Sequence, residues 1–527
     1  MDSVKTWKSL PNWVQWTLAI VLAAGIFLRF YNLDHKVYWI DETNSSLRTL
    51  GYTKSEFIQT NFTGEVVTAD QLQQFQRLSP DRGWDDTWNA LTGTAEHTPL
   101  YFLLARAWVG IVGHSVASMR FLTAVLSVLV LPCLYWLCRE LFGSGTVGCT
   151  VGWIAMSLVA VTPLHIFYAQ EARPYSLLSI LILLTSTLLL RAIRLNTPKH
   201  WIFYGLSIIA GLYTQLLFGS VVIAHGLFVL LTQGWRNPVT RNYLLSSVIS
   251  GLSLTPWIAI LIHNWQKVQQ STVSLNDGYS TSTYLIDRWF LNLNLAFFNK
   301  ELGGANIFLV LVTMLALYVF CRQAPKQAWL FVMLLIGIPF LALATPDLIL
   351  EGRRSLRIRY LFPCFFGLQI AFAYVIATQA VWAKNWQQQL WRIFWIGSLI
   401  AGLAASAVSA QEVVGWHKSV PRSSYYPPVA DIINQTENAL IISDGPVTDT
   451  LAFSAWLNPE TKLQLLPEGS RKLRIAPGYE PIYLLNPSKQ LLKMMTRRGY
   501  TLTVAYQDRA DRVEIIDRLW TAEKAAK

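Results

Sequence analysis

Long apolar runs separated by short polar segments dominate the chain as far as about residue 410. The first runs from Trp13 to Tyr31. Others centre on 119–138, 146–166, 174–192, 201–216, 218–233, 242–262, 303–321, 328–345, 360–380 and 393–410. Their lengths, about 15–22 residues, approach what a helix needs to cross a bilayer core. The pattern predicts an α-helical polytopic membrane protein of about 11 transmembrane helices. The stretch 100–112 is shorter and carries Arg106, so it is expected to lie along the interface. Ala23-Ala24-Gly25 could pass for a cleavage site, but the run continues to Phe30, so an uncleaved first span is expected.

The basic residues orient these spans. With the N-terminus inside, after Lys5 and Lys8, the inner loops carry Arg139; Arg191, Arg194 and Lys199; Arg236 and Arg241; Arg322 and Lys326; and Lys384 and Arg392. Every short basic loop then falls on one side, as the positive-inside rule requires. The outer side receives 32–118, 167–173, 263–302, 346–359 and everything after about 411. In the first of these, Thr43–Ile58 reads as an amphipathic helix, with further helices near 69–78 and 98–112, all suited to roofing a cavity at the membrane face.

Beyond residue 410 the pattern changes. Short apolar runs Ala439–Ser443, Leu463–Leu466, Ile482–Leu485, Leu502–Ala505 and Val513–Ile516 read as strands. Helical patterns near 428–437, 446–456 and 488–498 lie between them. This predicts a small soluble α/β domain over 411–527, after a membrane domain over 1–410 that includes the outer segment 32–118. Neither a GxGxxG nor a P-loop occurs there, so nucleotide binding is not supported. Asp444 and Asp449 fall near a strand end, where turn and N-cap roles outweigh ligand binding.

Composition agrees. Charged residues make up 14% of 527, against about 25% in ordinary soluble domains, and 53% are hydrophobic. Disorder and a coiled coil are excluded. The formal charge of +12 comes largely from short loops between spans, so it marks membrane orientation and not nucleic acid. Cys133, Cys138, Cys149, Cys321 and Cys364 lie in or beside apolar runs without a CxxC pair, so no disulfide framework or zinc site is visible.

Four segments carry candidate chemistry, and all fall on the expected outer side. Asp41 and Glu42 follow Tyr38-Trp39-Ile40 just beyond the first span. They fit a solvated helix start with Asp41 as N-cap, or a general base whose pKa is raised under aromatic cover. Glu96-His97-Thr98-Pro99-Leu100-Tyr101 fits a helix start, or a holder of an acceptor, a metal or a phosphate. In the short loop Tyr168–Tyr175, Arg173 either snorkels to headgroups or pairs with Glu171 and reaches a phosphate. Arg353, Arg354, Arg357 and Arg359 defy the positive-inside trend, which suggests an anion to bind; lipid headgroups are the simpler ligand. Acid, base and arginines at one face together suggest a lipid-phosphate substrate, its sugar head in a cavity and its isoprenoid tail in the bilayer.

Taken together, these segments resemble the GT-C superfamily of membrane glycosyltransferases, in the branch of protein O-mannosyltransferases and aminoarabinose transferases. The resemblance rests on Asp41-Glu42, on Glu96–Tyr101, on Gln170-Glu171-Ala172-Arg173-Pro174-Tyr175, and on Arg359-Tyr360-Leu361-Phe362-Pro363. It covers roughly 1–410 and implies a bacterial plasma-membrane enzyme with site and C-terminal domain extracytoplasmic. Such an enzyme moves a monosaccharide from a polyprenyl-phosphate donor to a hydroxyl of a lipid, glycan or protein, with inversion. The resemblance makes Asp41 the base, aided by Glu42. Glu96 and His97 become acceptor or metal residues, although His97-Thr98-Pro99 departs from the Lys-Pro-Pro or His-Pro-Pro of relatives. Arg173 and Arg359, with Arg353 and Arg357, would hold the donor phosphate, and Tyr101, Glu171, Tyr175 and Tyr360 would line the pocket. The residues name no definite cofactor; a divalent metal ion could share the stabilisation of the phosphate, with Asp41, Glu42, Glu96 and His97 as its candidate ligands.

Two alternatives stay open. A flippase for lipid-linked sugars would need spans and basic patches too, but predicts internal repeats and broken mid-membrane helices, and no repeat stands out. A GT-C enzyme with a polyprenyl-pyrophosphate donor is opposed only by the short Glu–Arg–Pro–Tyr loop. Sequons begin at Asn44, Asn61 and Asn434, all on the expected outer side.

Overall fold

The computed structural model describes residues 7, 10–272, 281–294, 297, 306–382, 386–414, 423–470, 473–510 and 514–524. Lys5, Lys8, Lys384 and Val513 lie outside the described residues. The chain forms two compact units, one of residues 1–33, 94–101 and 120–411, the other of 34–93, 102–119 and 412–527. The outer segment thus groups largely with the C-terminal region, whereas the sequence division at 410/411 placed it with the membrane domain. The physical reason is a strand, described below, that the sequence did not announce.

In the first unit, among the described residues, eight helices are long and apolar enough to cross a membrane, or ten when two bent pairs each count as one. They correspond to ten of the eleven expected runs. The eleventh, 201–216, is helical over Pro198–Thr214 but has only 17 residues. Leu100–Val112 is a separate 13-residue apolar helix, as its length implied. Arg194 pairs with Glu140 at 2.7 Å, joining two loops that the charge rule places on the same side.

One bent pair, Thr146–Val161 and Pro163–Ala169, turns by 65°. Pro163 cannot donate to the preceding turn, so the last carbonyls of the first helix need other donors. The fully buried Arg29, from the span Asn12–Phe30, supplies them: its Nη1 donates to Ala160 O at 2.6 Å and its Nη2 to Val159 O at 3.0 Å. Its Nε donates to Ser127 Oγ at 2.9 Å. The approach requires Gly25, where a Cβ would lie 2.4 Å from Ala160 O. In return Gln170, beyond the bend, donates from Nε2 to Leu28 O and Tyr31 O, each at 2.8 Å, capping the first span. The two spans therefore cap one another, which fixes the start of the loop Gln170–Pro174.

In the second unit the expected helix Thr43–Ile58 is two helices, Ile40–Leu50 and Lys54–Asn61. Gly51 ends the first at φ +83, a left-handed conformation, and a Cβ there would meet Asp86 Cβ at 2.7 Å. Thr53 then caps the second by accepting from Glu56 N.

A six-stranded sheet has the order β1-β3-β2-β4-β6-β5. The strands are β1 (Val66–Thr68), β2 (Leu440–Ser443), β3 (Lys462–Leu465), β4 (Ile482–Leu485), β5 (Tyr500–Ala510) and β6 (Glu514–Lys524). β2 pairs parallel with β3 and β4, while the other pairings are antiparallel. β1 comes from the outer segment and pairs with β3, Val67 opposite Leu463. That pairing is why residues 34–93 belong with the C-terminal region. The predicted strands and the helices Tyr426–Asn434, Val447–Ser454 and Lys489–Arg497 form where expected, with β5 and β6 longer than their apolar cores. Leu440, Ile442, Leu484, Leu491 and Met495 fill the core.

Asp449 is not an N-cap. Pro446 holds that place, and Asp449 lies buried inside the helix, accepting hydrogen bonds from the hydroxyls of Tyr425 and Tyr426. Burial pushes both tyrosines well above the usual phenol range; the Asp449 carboxylate adds to it for Tyr425, and Tyr425 and then Asp449 for Tyr426. Asp444 takes a turn role, accepting from Ser488 N at 2.9 Å. The sequon asparagines are engaged: Asn44 accepts from Thr448, Asn61 is buried and donates to Phe57 O, and Asn434 donates to Trp456 O.

Candidate active site

The first unit brings together five of the expected site residues. The loop Gln170–Pro174 leads into the span Tyr175–Leu195, and the short helical turn Ile358–Tyr360 leads into the span Phe362–Val381. Both place cations at a span end. The guanidinium carbon of Arg173 lies 5.8 Å from the Tyr175 ring centroid, and that of Arg359 lies 5.9 Å from the same centroid. Arg359 is also 5.4 Å from the Tyr360 ring. Glu171 joins the group, within electrostatic reach of the Tyr175 hydroxyl together with both arginines and Tyr360. Glu171, Arg173 and Tyr175 are each at least nine-tenths buried. Two guanidinium groups beside one buried aromatic ring, with Glu171 nearby, make a site of reduced dielectric that carries positive charge.

Aromatic rings support it. Tyr168 meets Tyr175 at 5.1 Å and Phe362 at 5.2 Å, and His165 stacks on Phe366 at 5.0 Å. Below them is a small cavity lined by Arg29, Ser127, His165, Tyr168, Tyr175 and Phe362, among others. Sequence reasoning missed Arg29, although an ionisable residue inside an apolar run is itself a signal. Nothing in the sequence pairs Tyr168 with Phe362.

The second unit carries the expected base. Asp41 and Glu42 occupy the first turn of Ile40–Leu50, where the helix dipole favours negative charge. The N-cap is Trp39 and not Asp41, and Glu42 is buried rather than solvated, at 1% exposure. The helix is fixed by a chain of hydrogen bonds. Tyr38 and Ser46 share one at 2.6 Å between their hydroxyls, and Ser46 Oγ lies 3.1 Å from His114 Nε2. Burial pushes the His114 imidazole down to about 4, so it is neutral near pH 7. Arg48, at the other end, stacks 5.8 Å from the Phe102 ring.

Glu96 and His97 occupy a turn of the first unit, ahead of Leu100–Val112. Trp257 Nε1 holds that turn by donating to Ala95 O at 3.0 Å. Tyr101 is fully buried in the first turn of the helix. The four arginines at 353–359 divide. Arg359 lies beside Tyr175 with Arg173, Arg353 lies 5.9 Å from the Tyr284 ring, Arg354 pairs with buried Asp347 at 3.4 Å, and Arg357 precedes the turn Ile358–Tyr360 without a side-chain cap bond. Among the described residues no group of three or more His, Cys, Asp or Glu side chains could hold a metal ion.

In fold the chain is similar to ArnT of Cupriavidus metallidurans in the apo state, at TM-score 0.53 and 11% identity, over 97% of this chain and 98% of that one. The chain has the GT-C fold. Residues 96–260 of this GT-C chain match the family model of dolichyl-phosphate-mannose-protein mannosyltransferase. The matched stretch holds Glu96, His97, Glu171, Arg173 and Tyr175. Further similar structures are the same ArnT bound to undecaprenyl phosphate (TM-score 0.49, 12% identity, 97% and 98% covered) and the Archaeoglobus fulgidus oligosaccharyltransferase tethered to an acceptor peptide (0.45, 13%, 87% and 64%). No curated protein matches the chain by sequence.

Proposed function

We propose that this GT-C protein is a membrane glycosyltransferase that moves a monosaccharide from a polyprenyl-phosphate donor to an acceptor hydroxyl on the extracytoplasmic side. The observation that carries the reading is the convergence of Arg173 and Arg359 on Tyr175 where two spans end. A lipid phosphate arrives at such a depth, and planar guanidinium groups match its oxygens. The family model over 96–260, named for a dolichyl-phosphate sugar, supports that donor class.

In the reaction, Asp41 takes the acceptor's hydroxyl proton, and the acceptor oxygen attacks the anomeric carbon from the face opposite the phosphate. The bond from anomeric carbon to phosphate oxygen breaks with its electron pair on the phosphate. Arg173 and Arg359 stabilise the growing negative charge, which is where preorganised cations accelerate a reaction most. Backside attack inverts the anomeric centre. Glu42, in the same helical turn as Asp41, keeps a proton acceptor close to the base.

The test is donor affinity. Arg359→Ala removes a charge-assisted contact worth about 1.5–3 kcal/mol, so the Kd for a polyprenyl-phosphate sugar rises roughly 10- to 150-fold. Acceptor affinity stays within about twofold. Unchanged donor affinity would move phosphate recognition away from this pocket.

A further inference from the structure

Arg353 is drawn into a second cationic group in the membrane unit, built from residues with no part in the proposed reaction. The helix Ser282–Asn294 presents Tyr284 and Arg288 one turn apart on one face. The Arg288 guanidinium carbon lies 5.3 Å from the Tyr284 ring centroid, and that of Arg353 lies 5.9 Å from it.

Buried contacts preform this arrangement. Asp347, fully buried near the end of the span Lys326–Leu350, accepts from Ser355 N at 2.6 Å and from Ser355 Oγ at 2.7 Å. It also holds Arg354 at 3.4 Å. The turn after the span is thereby fixed, with Glu351 left-handed at φ +51 and Gly352 N bonded to Asp347 O. Trp289 then ties the helix to that turn and to the span. Its Nε1 donates to Ser355 Oγ at 2.9 Å, and its ring packs 5.1 Å from Phe340. Arg354 thus helps to set the turn, and Arg353 and Arg288 both lie within 6 Å of the Tyr284 ring centroid.

The surroundings are apolar. Ile286 and Phe290 are exposed on the same helix, and Leu348, Ile349 and Leu350 are exposed at the end of the span. Two guanidinium groups beside a phenol suit a phosphate, and an exposed apolar rim at a span end suits acyl chains.

We infer that Tyr284, Arg288 and Arg353 form a binding site for the phosphate of an anionic membrane phospholipid, separate from the Arg173–Arg359 pocket. The site selects anionic over zwitterionic lipid, because a choline headgroup brings its own cation against the two arginines.

The test uses the full-length protein reconstituted in phosphatidylcholine vesicles containing about one fifth phosphatidylglycerol. Lipid retained through detergent extraction is counted by native mass spectrometry. The wild type keeps phosphatidylglycerol in preference to phosphatidylcholine, and the R288Q/R353Q double variant loses about tenfold of that retention. Arg359→Gln leaves it unchanged. Equal retention of both lipids by the wild type, or full retention by the double variant, would overturn the site. Complete displacement of the lipid by millimolar inorganic phosphate would overturn it as a lipid site and make it one for free anions. Should the double variant fail to fold, the single Arg→Lys variants decide. Each keeps the charge but loses the planar fork, and retention falls about threefold; no change in either overturns the proposal.

Discussion

Stability should depend on pH through His114. Its imidazole titrates at about 4 in the folded protein, against 6.5 for a free histidine. The unfolded chain therefore takes up a proton between pH 6.5 and about 4 that the folded chain refuses. The stability associated with neutral His114 is fully present above pH 6.5 and is lost as pH falls through about 4. At about 1.4 kcal/mol per tenfold, the gap sets an upper bound of about 3.5 kcal/mol. The ring keeps some contact with solvent, so about 2 kcal/mol is expected. Nε2 lies 3.1 Å from Ser46 Oγ, so the ring that titrates is hydrogen-bonded to the helix that carries Asp41 and Glu42. The assay is the thermal midpoint of the full-length protein in detergent, followed from pH 8 to pH 4, for wild type and His114→Gln. Carboxylates titrate in both proteins, so the difference isolates the imidazole. The wild type should lose about 2 kcal/mol more than the variant over this range. Superimposable profiles would refute the reasoning.

Gly25→Ala should lower the thermal midpoint by the equivalent of about 1–3 kcal/mol, because the new Cβ meets Ala160 O at the elbow; an unchanged midpoint would mean the spans separate freely there. Asp449→Ala should cost the C-terminal sheet about 2–5 kcal/mol, since the buried hydroxyls of Tyr425 and Tyr426 lose their acceptor. Hydrogen exchange at β2 and β4 in the full chain reads this directly, and native-like protection would count against it.

The spans were legible because a bilayer imposes one length and one polarity on every crossing helix. The C-terminal strands were legible because runs such as Leu440–Ser443 and Ile482–Leu485 are buried on both faces of the sheet. The strand Val66–Thr68 was not, since three residues carry no period and its partner Lys462–Leu465 is almost 400 residues away. The break at Gly51 could have been read, as a glycine inside an amphipathic pattern with Thr53 two residues later is a stop and a start. Among the site residues, the loop around Arg173 stood out because a short loop between two apolar runs carries both Glu171 and Arg173. The four arginines at 353–359 looked like one cluster, yet a buried Asp347 and Tyr284 draw them to different places, and a linear sequence cannot show that. Likewise, the link from Ser46 to His114 leaves no local signal, being 68 residues long.

The most direct measurement of the transferase reading is release of polyprenyl phosphate from a panel of polyprenyl-phosphate sugars by the purified protein, with crude acceptor lipids and Asp41→Asn in parallel. Release by the wild type with at least one donor, and a loss of at least about 100-fold in the variant, is the expected result. Near-normal release by Asp41→Asn would contradict the base assignment, and no release with any donor despite tight binding would contradict the transferase itself.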